Sequence, residues 1–427
     1  MTTIKLRRGT ASEWTASNPV LAEGEPGFEK DTGKYKLGDG VTAWNSLGYF
    51  VNEAVQRATY AGLNTKGLQA LETQRASALR PFHAGLADRA NAACDIVVIG
   101  DSITEGAQAS ARSKRWVSRL LDNLRTRFPV AGVIGGPGYF PTYYAGGASG
   151  ITLPAPATLT GSPVQNVTFG LGKRSSELTT GKSAQWTVTG TSVDVLFAQG
   201  TSSGIMGVSI DGGAVTNINT STTVANKDLG IQRVSLGASG SHTVTLSWVS
   251  GGTVYPEGIM VYDGDENSGV RLWESGHWGW QSGDWSNSAG SKLLYLGQRL
   301  STINPKLVVI ELGTNDYGNA GTAAAMRTNL EAIIAQIKAS VTNDPSFVLL
   351  GLYKRSGTFT NQWSDFQAQF EAMEEADPQI AYFDFSKRLP TYSTNSELAL
   401  VNADGVHPTD KGHGYLADAL AGFLSPR

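Results

Sequence analysis

Cysteine and charge are scarce in this chain. Cys94 is the only cysteine among 427 residues, which excludes a disulfide framework and a zinc site built from cysteines. Charged residues make up 17% of the chain, against about a quarter in an average protein, and the formal net charge is −3. A protein that binds nucleic acid by charge carries a basic stripe, so we expect no nucleic-acid partner.

Long hydrophobic runs are absent as well. No apolar run approaches the roughly 18 residues of a membrane-spanning helix, so we expect no membrane insertion. Residues 1–8 lack the apolar region of a signal peptide, and we expect no export signal there. The histidines form no metal-spaced pair with acidic neighbours on a helix, so we predict no metal site.

Glycine, by contrast, is abundant, with 51 residues, and this indicates many tight turns and substantial β structure. Residues 1–50 combine dense turn signals, such as Gly38-Asp39-Gly40, with short apolar pieces, which is typical of a small β module. Residues 51–92 are rich in Ala, Gln, Glu and Arg without a strand pattern. We interpret them as a helical or extended connector.

From residue 93 the pattern alternates between short buried strands and amphipathic helices. We predict strands at 94–100, 307–312, 347–352 and 381–385, and helices at 113–128, 322–341, 362–376 and 409–424. This alternation predicts an α/β domain with a mostly parallel sheet and helices on both faces. The domain is divided in sequence into residues 93–135 and 263–427.

The intervening residues 136–262 have a period of two instead. Val193, Val195 and Phe197 alternate with other residues in this way, and Asp211-Gly212-Gly213 is a hairpin-turn signal. The pattern predicts a β-sandwich of short strands inserted into the α/β domain.

The sharpest chemical feature is Gly100-Asp101-Ser102, between a predicted strand and a predicted helix. Ser102 therefore lies at the carboxyl end of a strand, where open α/β sheets bind their ligands. A serine hydroxyl is a poor nucleophile by itself and needs a base, and the base needs a group that orients it.

Candidates for these partners lie far along the chain. His407 can act as the base, and Asp404, three residues earlier, can orient its imidazole. The oxyanion needs hydrogen-bond donors, for which Asn315 and the backbone of Gly279 are candidates, with Gly276 as a competitor to Gly279.

Nearby residues receive other interpretations. We expect His413 to be solvated or to support the site from outside it. We expect Asp316 to be a turn or cap residue, and Cys94 to pack in the first strand.

In these segments the chain resembles the SGNH (GDSL-type) hydrolases. Gly-Asp-Ser at 100–102, a glycine after the second strand, Gly-x-Asn-Asp at 313–316 and Asp-x-x-His at 404–407 occur in the order of that family. The resemblance implies a flavodoxin-like three-layer α/β fold and a serine esterase or deacetylase that uses no cofactor.

The resemblance also implies roles for individual residues. Ser102 is the nucleophile, and its own N–H contributes to the oxyanion hole. Gly279 and Asn315 are the remaining donors, and His407 with Asp404 are the base and its orienting group.

Aromatic residues cluster beside Gly279. Trp273, Trp278, Trp280 and Trp285 fall within a short segment, and aromatic faces stack on sugar rings. Packing between the sheet and the inserted domain is the alternative, and we expect one or two of these rings at the cleft. The candidates for substrate contact are Asp101, His277, Trp278 and Trp280. Lys354 and Arg355 are either solvated or meet an anionic sugar.

One motif is misleading. Gly200-Thr-Ser202-Ser-Gly204 matches the G-x-S-x-G nucleophile elbow, but that elbow joins a strand to a helix. Strand-like residues lie on both sides here, so we predict a hairpin loop instead.

The N-terminus carries a second resemblance. Ile4-Lys-Leu-Arg-Arg-Gly-Thr10, Glu23-Gly-Glu-Pro-Gly-Phe28 and Lys36-Leu-Gly-Asp-Gly40 are similar to the N-terminal module of phage tail-fibre and tropism-determinant proteins. The resemblance implies that residues 1–50 attach the chain to other phage tail proteins, with a homotrimer as one implied assembly. The inserted domain resembles carbohydrate-binding β-sandwiches of SGNH carbohydrate esterases, through Val208–Gly213 and Ser241–Leu246.

Together these features predict an esterase on a virion tail. The expected reaction is removal of O-acetyl groups from host surface polysaccharide at the host cell surface. A receptor-binding domain without catalysis, a hydrolase of lipid or cell-wall esters, and an acetyltransferase remain alternatives.

Overall fold

The chain divides by its internal contacts into two compact units, Met1–Thr73 and Gln74–Arg427. The computed structural model describes residues 7–50, 74–146, 150–223, 228–287, 292–389 and 397–426. The first part of the predicted connector, residues 51–73, therefore lies outside the described residues.

The described residues of the N-terminal unit form a small four-stranded sheet and one short helix. Its elements are β1 (Arg7–Gly9), α1 (Ala11–Ser17), β2 (Pro26–Glu29), β3 (Tyr35–Leu37) and β4 (Tyr49–Phe50). Thr10 and Glu13 form a capping box at the start of α1. Trp14 and Trp44 stack with ring centroids 4.2 Å apart. Together with Leu21 they form a small buried apolar core.

The second unit begins with a helix, α2, over residues 74–87. Ala78, Leu79, Phe82 and Leu86 of this helix are buried in the same core as the α/β sheet. We predicted the domain from residue 93, and this helix extends the packed unit back to Gln74.

The α/β domain alternates strands and helices as the sequence predicts. Its elements are β5 (Cys94–Gly100), α3 (Ser102–Glu105) and α4 (Trp116–Arg127) before the insertion, and β15 (Val270–Gly276), α5 (Ser282–Ser286), α6 (Lys292–Ile303), β16 (Leu307–Glu311), α7 (Thr314–Gly318), α8 (Ala323–Ser340), β17 (Ser346–Gly351), α9 (Trp363–Ala376), β18 (Ile380–Asp384) and α10 (Asp410–Leu424) after it.

The strands form one parallel sheet in the order β15-β5-β16-β17-β18. This is the flavodoxin-like order, in which ligands bind where the chain switches direction across the sheet, here between β5 and β16. Alternate residues of β5 face opposite sides. Ile96 and Val98 pack with α2, α4 and α10, and Val97 and Ile99 pack with α6, α8 and α9. The three-layer α/β fold is thereby confirmed.

The inserted domain is one antiparallel sheet with a second small strand pair. Its strands are β6 (Gly138–Pro141), β7 (Thr158–Thr160), β8 (Val164–Asn166), β9 (Ser175–Glu177), β10 (Ser183–Gln199), β11 (Ile205–Ile210), β12 (Thr216–Asn219), β13 (Asp228–Ser250) and β14 (Tyr255–Tyr262).

Two of these strands are long, where we expected short ones. β10 has 17 residues and β13 has 23, and their pairing shifts register between Gly190 and Ser192. Trp186 before the shift and Val195 after it lie in one apolar core. Both long strands therefore continue in the same sheet on either side of the register shift, because a bulge bends a strand without ending it.

The loop with the misleading motif joins β10 to β11 and is followed by no helix. Strand β13 lies between β10 and β11 in the sheet and pairs with each of them, so β10 and β11 do not pair with each other. The loop is thus a strand-to-strand connection, and the expected hairpin is wrong.

Buried ion pairs join the inserted domain to the α/β domain. Arg174, which precedes β9, lies between Glu105 of α3 at 3.1 Å and Glu274 of β15. Arg115 lies 3.1 Å from the same Glu274. All four side chains are at most 1% exposed, so the insertion is fixed directly to the turn that carries Ser102.

Candidate active site at the carboxyl edge of the parallel sheet

Ser102 lies on a very tight turn. β5 ends at Gly100, where a Cβ atom would stand 2.1 Å from Oγ1 of Thr104. Asp101 caps the four-residue helix α3 by accepting a hydrogen bond from the N–H of Ile103 at 2.9 Å. Ser102 is thereby held at the end of the strand. Its N–H lies in the first turn of a helix, where backbone N–H groups have no acceptor within the helix.

His407 and Asp404 complete a hydrogen-bonded chain with Ser102. Nε2 of His407 lies 2.8 Å from Oγ of Ser102, and Nδ1 of His407 lies 2.8 Å from Oδ2 of Asp404. Because the carboxylate can only accept, Nδ1 carries the hydrogen and Nε2 is free to accept the serine proton. The three side chains that the sequence placed up to 305 positions apart meet at one sheet edge.

The carboxylate of Asp404 is held in its ionised form. Its Oδ1 accepts hydrogen bonds from the N–H groups of Val406 at 2.9 Å and His407 at 3.0 Å. Burial by itself would raise the pKa of Asp404, but the bonds from the imidazole and these N–H groups hold the pKa well below its usual range. Asp404 can therefore orient the imidazole and stabilise a positive charge on it.

The loop before α10 positions His407. The hydroxyl of Tyr353 donates to the carbonyl of Val406 at 2.6 Å, and the side chain of Asn402 donates to the carbonyl of Pro408 at 3.0 Å. Gly405 adopts φ +72°, a conformation that favours glycine. Thr409 then caps α10.

Asn315 lies in the first turn of α7, after β16. Its Nδ2 is 3.2 Å from Oδ2 of Asp101 and 3.1 Å from the carbonyl oxygen of Trp280. Asp101 thus links the turn that carries Ser102 to Asn315. This candidate for substrate contact is 1% exposed.

The two candidate glycines occupy different environments. A Cβ atom on Gly276 would lie 2.7 Å from the backbone nitrogen of Glu105, so Gly276 allows β15 to pack against the nucleophile turn. Gly279 adopts φ +71°, and a Cβ atom there would meet nothing within 4 Å. Gly279 is exposed in the turn that the N–H of Trp280 closes onto the carbonyl of His277.

The tryptophans divide into two pairs. Trp273 and Trp285 are buried in the core, whereas Trp278 and Trp280 are half-buried. Trp278 stacks on His407 with ring centroids 5.2 Å apart. Trp280 stacks on His277 at 3.8 Å. His277 is itself buried, and its Nδ1 lies 2.6 Å from the carbonyl oxygen of Gly172.

A second buried carboxyl group lies beneath the nucleophile turn, and we did not single it out. Glu311, the last residue of β16, accepts from Thr104 at 2.9 Å and hydrogen-bonds to Asp101. Burial, and then the charge of Asp101, raise the pKa of Glu311 well above its ordinary value. An acidic residue at the end of the run Leu-Val-Val-Ile-Glu was the available signal.

The nearby titratable residues have structural partners. His413 is fully buried in α10, with Nε2 3.1 Å from the carbonyl of Ala107 and Nδ1 accepting from the N–H of Trp116 at 3.3 Å. Asp316 accepts hydrogen bonds from Ser282. Burial raises the pKa of Cys94 to about 12, which makes its thiol inert.

Residues 270–415 match the GDSL-like lipase/acylhydrolase family. Residues 4–42 match the major tropism determinant N-terminal domain. Both resemblances predicted from the sequence are confirmed: residues 270–415 are similar to GDSL-type hydrolases and residues 4–42 to tropism-determinant N-terminal domains.

A solved structure described as "Peptidoglycan O-acetylesterase in action, 5 min" is similar in fold. The TM-score is 0.59 at 17% sequence identity, and the match covers 82% of this chain and 95% of that chain. At this identity the likeness concerns the fold.

Two curated relatives come from phages of Streptococcus pyogenes and are named hyaluronoglucosaminidase. The relative in phage H4489A is 46% identical over 46 residues, 11% of this chain and 12% of that protein. The relative in phage H10403 is 37% identical over 67 residues, 15% of this chain and 20% of that protein. The chain thus spans a fifth or less of their length. With the N-terminal match, they indicate a component of a virion tail.

Two further observations concern the described residues. None of their helices combines the length and apolar character needed to cross a bilayer. No group of three or more His, Cys, Asp or Glu side chains among them is arranged to hold a metal ion.

Proposed function

We propose that this protein is a phage tail serine esterase that removes O-acetyl groups from host cell-surface polysaccharide. The observation that carries the proposal is the hydrogen-bonded chain Ser102–His407–Asp404, with 2.8 Å at each link between side chains. Such a chain is the arrangement that activates a serine for acyl transfer.

The reaction follows from this geometry. Ser102 attacks the ester carbonyl carbon while Nε2 of His407 takes its proton. The imidazolium, stabilised by Asp404, then protonates the departing sugar oxygen, so that the sugar leaves with a free hydroxyl and an acetyl-serine remains. A water molecule attacks the acetyl-serine as His407 takes the water's proton, and collapse releases acetate and restores Ser102.

The oxyanion needs donors at the same edge. We assign this role to the N–H groups of Ser102 and Gly279 and to the amide of Asn315. The Asn315 hydrogen that is directed at the carbonyl of Trp280 is the one assigned to the oxyanion, which replaces that carbonyl as its acceptor. The hydrogen directed at Asp101 remains in place and fixes the amide plane.

Three features support a polysaccharide substrate. Trp278 and Trp280 present half-buried aromatic rings beside His407 and His277, and such rings stack on sugars. The solved structure of similar fold is titled a peptidoglycan O-acetylesterase, and the phage relatives are named hyaluronoglucosaminidase.

The surroundings of the enzyme complete the proposal. Residues 1–50 attach the chain to other tail proteins, with a homotrimer as the assembly to test. The esterase then acts at the host cell surface, where loss of acetyl groups exposes a receptor or removes a shield.

The test is acetate release from purified O-acetylated surface polysaccharides by the full-length protein. Ser102→Ala should abolish release, and Ser202→Ala is the matched control because Ser202 is an exposed serine in the misleading motif. Release that persists in Ser102→Ala would contradict the proposed mechanism. Binding of the polysaccharide without release of acetate would identify a receptor-binding domain instead.

A further inference from the structure

Arg355 follows β17 at the same edge of the sheet as Ser102 and Asn315. Its guanidinium packs over Gly318 of α7, where a Cβ atom would lie 2.2 Å from Nη1, and over the ring of Phe359 at 5.5 Å. The residue is half-buried. The cation therefore lies directly against the short helix that carries Asn315.

The guanidinium has no counterion in the part of the chain that the structure describes. Its Nε is buried without a hydrogen-bond partner. By contrast, the fully buried Arg115 and Arg174 both contact Glu274, and the fully buried Arg299 contacts Glu257.

The two acids whose charges act on Arg355 are hydrogen-bonded to other residues. Asp101 and Asp404 are the carboxylates whose charges act on Arg355. Both oxygens of Asp404 accept from His407, one of them also from Val406. The oxygens of Asp101 accept from Ile103 and Asn315. The carboxylates that act on the charge of Arg355 are thus already hydrogen-bonded to other groups.

A partly desolvated cation of this kind favours an anionic ligand. Burial lowers the pKa of Arg355, and Asp101 and Asp404 oppose that shift, so the guanidinium stays charged while losing solvent. Its planar fork matches a carboxylate in a bidentate arrangement. The adjacent Lys354 is exposed, so the same chain offers a solvated cation for comparison.

We propose that Arg355 is a specificity-determining residue that binds the carboxylate of an acidic sugar next to the acetylated hydroxyl. The substrate class is then an O-acetylated acidic polysaccharide rather than a neutral one. This inference rests on the proposed esterase function and narrows its substrate.

The experiment compares two forms of one substrate. An O-acetylated polysaccharide that contains uronic acid is assayed beside its carboxyl-reduced form, and kcat and KM for acetate release are measured for the full-length protein. We expect the wild type to prefer the acidic form by about 10- to 100-fold in kcat/KM, the range for a charge-assisted hydrogen-bonded pair. The preference should fall as ionic strength rises.

The variants identify the residue responsible. Arg355→Met keeps the aliphatic volume, and it should bring the preference close to one, mainly through a higher KM for the acidic form. Lys354→Met should keep the wild-type preference. Thermal unfolding of each variant confirms that it is folded.

Three results would overturn the inference. Equal kcat/KM for both forms in an active wild type would remove the acidic preference while leaving the esterase proposal intact. An equal loss of kcat on both forms in Arg355→Met would assign Arg355 to the oxyanion instead. A wild type that releases acetate from neither form nor from p-nitrophenyl acetate would overturn both proposals.

Discussion

The side-chain amide of Asn315 donates a hydrogen bond to Oδ2 of Asp101, with 3.2 Å between the two atoms. The other oxygen of Asp101 accepts from the N–H of Ile103 at 2.9 Å, in the helix that begins with Ser102. One buried carboxylate therefore sets the position of the turn that carries Ser102 and of Asn315, the proposed oxyanion donor, at the same time.

Asp101→Asn tests this link. The substitution weakens the hold on the Asn315 amide, so kcat should fall by roughly 10-fold, less than the roughly 100- to 1,000-fold expected for Asn315→Ala. The double variant should be little worse than Asn315→Ala, because both substitutions act through one interaction. Steady-state rates on p-nitrophenyl acetate measure the three values. Independent, multiplying losses would separate Asp101 from Asn315.

Asp404→Asn tests the orientation of the base. An amide at this position favours the wrong imidazole tautomer, and kcat should fall by about 10⁴-fold, as in serine hydrolases with this arrangement. The structure should stay intact because the N–H bonds to Oδ1 can remain. His407→Ala combined with Asp404→Asn should be no worse than His407→Ala. Near-normal kcat in Asp404→Asn would show that Asp404 does not orient His407.

Arg174→Met tests the attachment of the inserted domain. Removal of the cation leaves Glu105 buried without its ion-pair partner, while Glu274 keeps Arg115, and this should cost about 3–5 kcal/mol in the free energy of unfolding. Arg327→Met is the control, since Arg327 pairs with Glu331 on the surface of α8 and should cost below about 1 kcal/mol. Urea unfolding compares them. Equal, small losses would mean that the buried network contributes little.

His413 gives the protein a defined acid sensitivity. Burial lowers the pKa of His413 from 6.5 to about 4. Between these values the unfolded chain binds a proton that the folded protein does not, so stability falls as pH decreases from 6.5 to 4. The loss from this group is about 3 kcal/mol, and none of it occurs above pH 6.5 or so.

The measurement is the urea midpoint at pH 7 and pH 4.5. His413→Gln should be less stable at pH 7, yet lose less on acidification than the wild type. His242→Gln is the control: the hydrogen bond that His242 donates to Asp211 raises the pKa of His242, so removal of this histidine should not reduce the acid loss. An unchanged pH dependence in His413→Gln would contradict the account.

The periodicity of the sequence predicted the α/β domain closely, because buried strands and amphipathic helices differ in period. The helix expected at 322–341 is α8, Ala323–Ser340, and the strand expected at 94–100 is β5, Cys94–Gly100. Ser102 and Asn315 each follow a strand, so the sequence could place them at one edge of the sheet, because parallel strands end on the same side. His407 was placed there from its position in the loop before the last helix.

The features that the sequence did not predict depend on contacts between residues far apart in the chain, which a local pattern does not reveal. Arg174 lies 69 residues from Glu105 and 100 from Glu274, so their pairing has no periodic signature. The length of β10 was not predicted, because the register shift at Gly190 interrupts the alternation of apolar and polar residues along the strand. Helix α2 lies in a segment without strand signals, and its apolar residues meet a core formed mostly by distant elements.

The most direct test of the account is covalent labelling of the full-length protein with a phosphonate ester that reacts with activated serines. The account predicts one adduct per chain, located by mass spectrometry on Ser102, and no adduct in His407→Ala because the hydroxyl is then no longer activated. Ser202→Ala should label like the wild type. A wild type that is not labelled, or is labelled elsewhere while Ser102 stays unmodified, would contradict the assignment of Ser102 as the nucleophile.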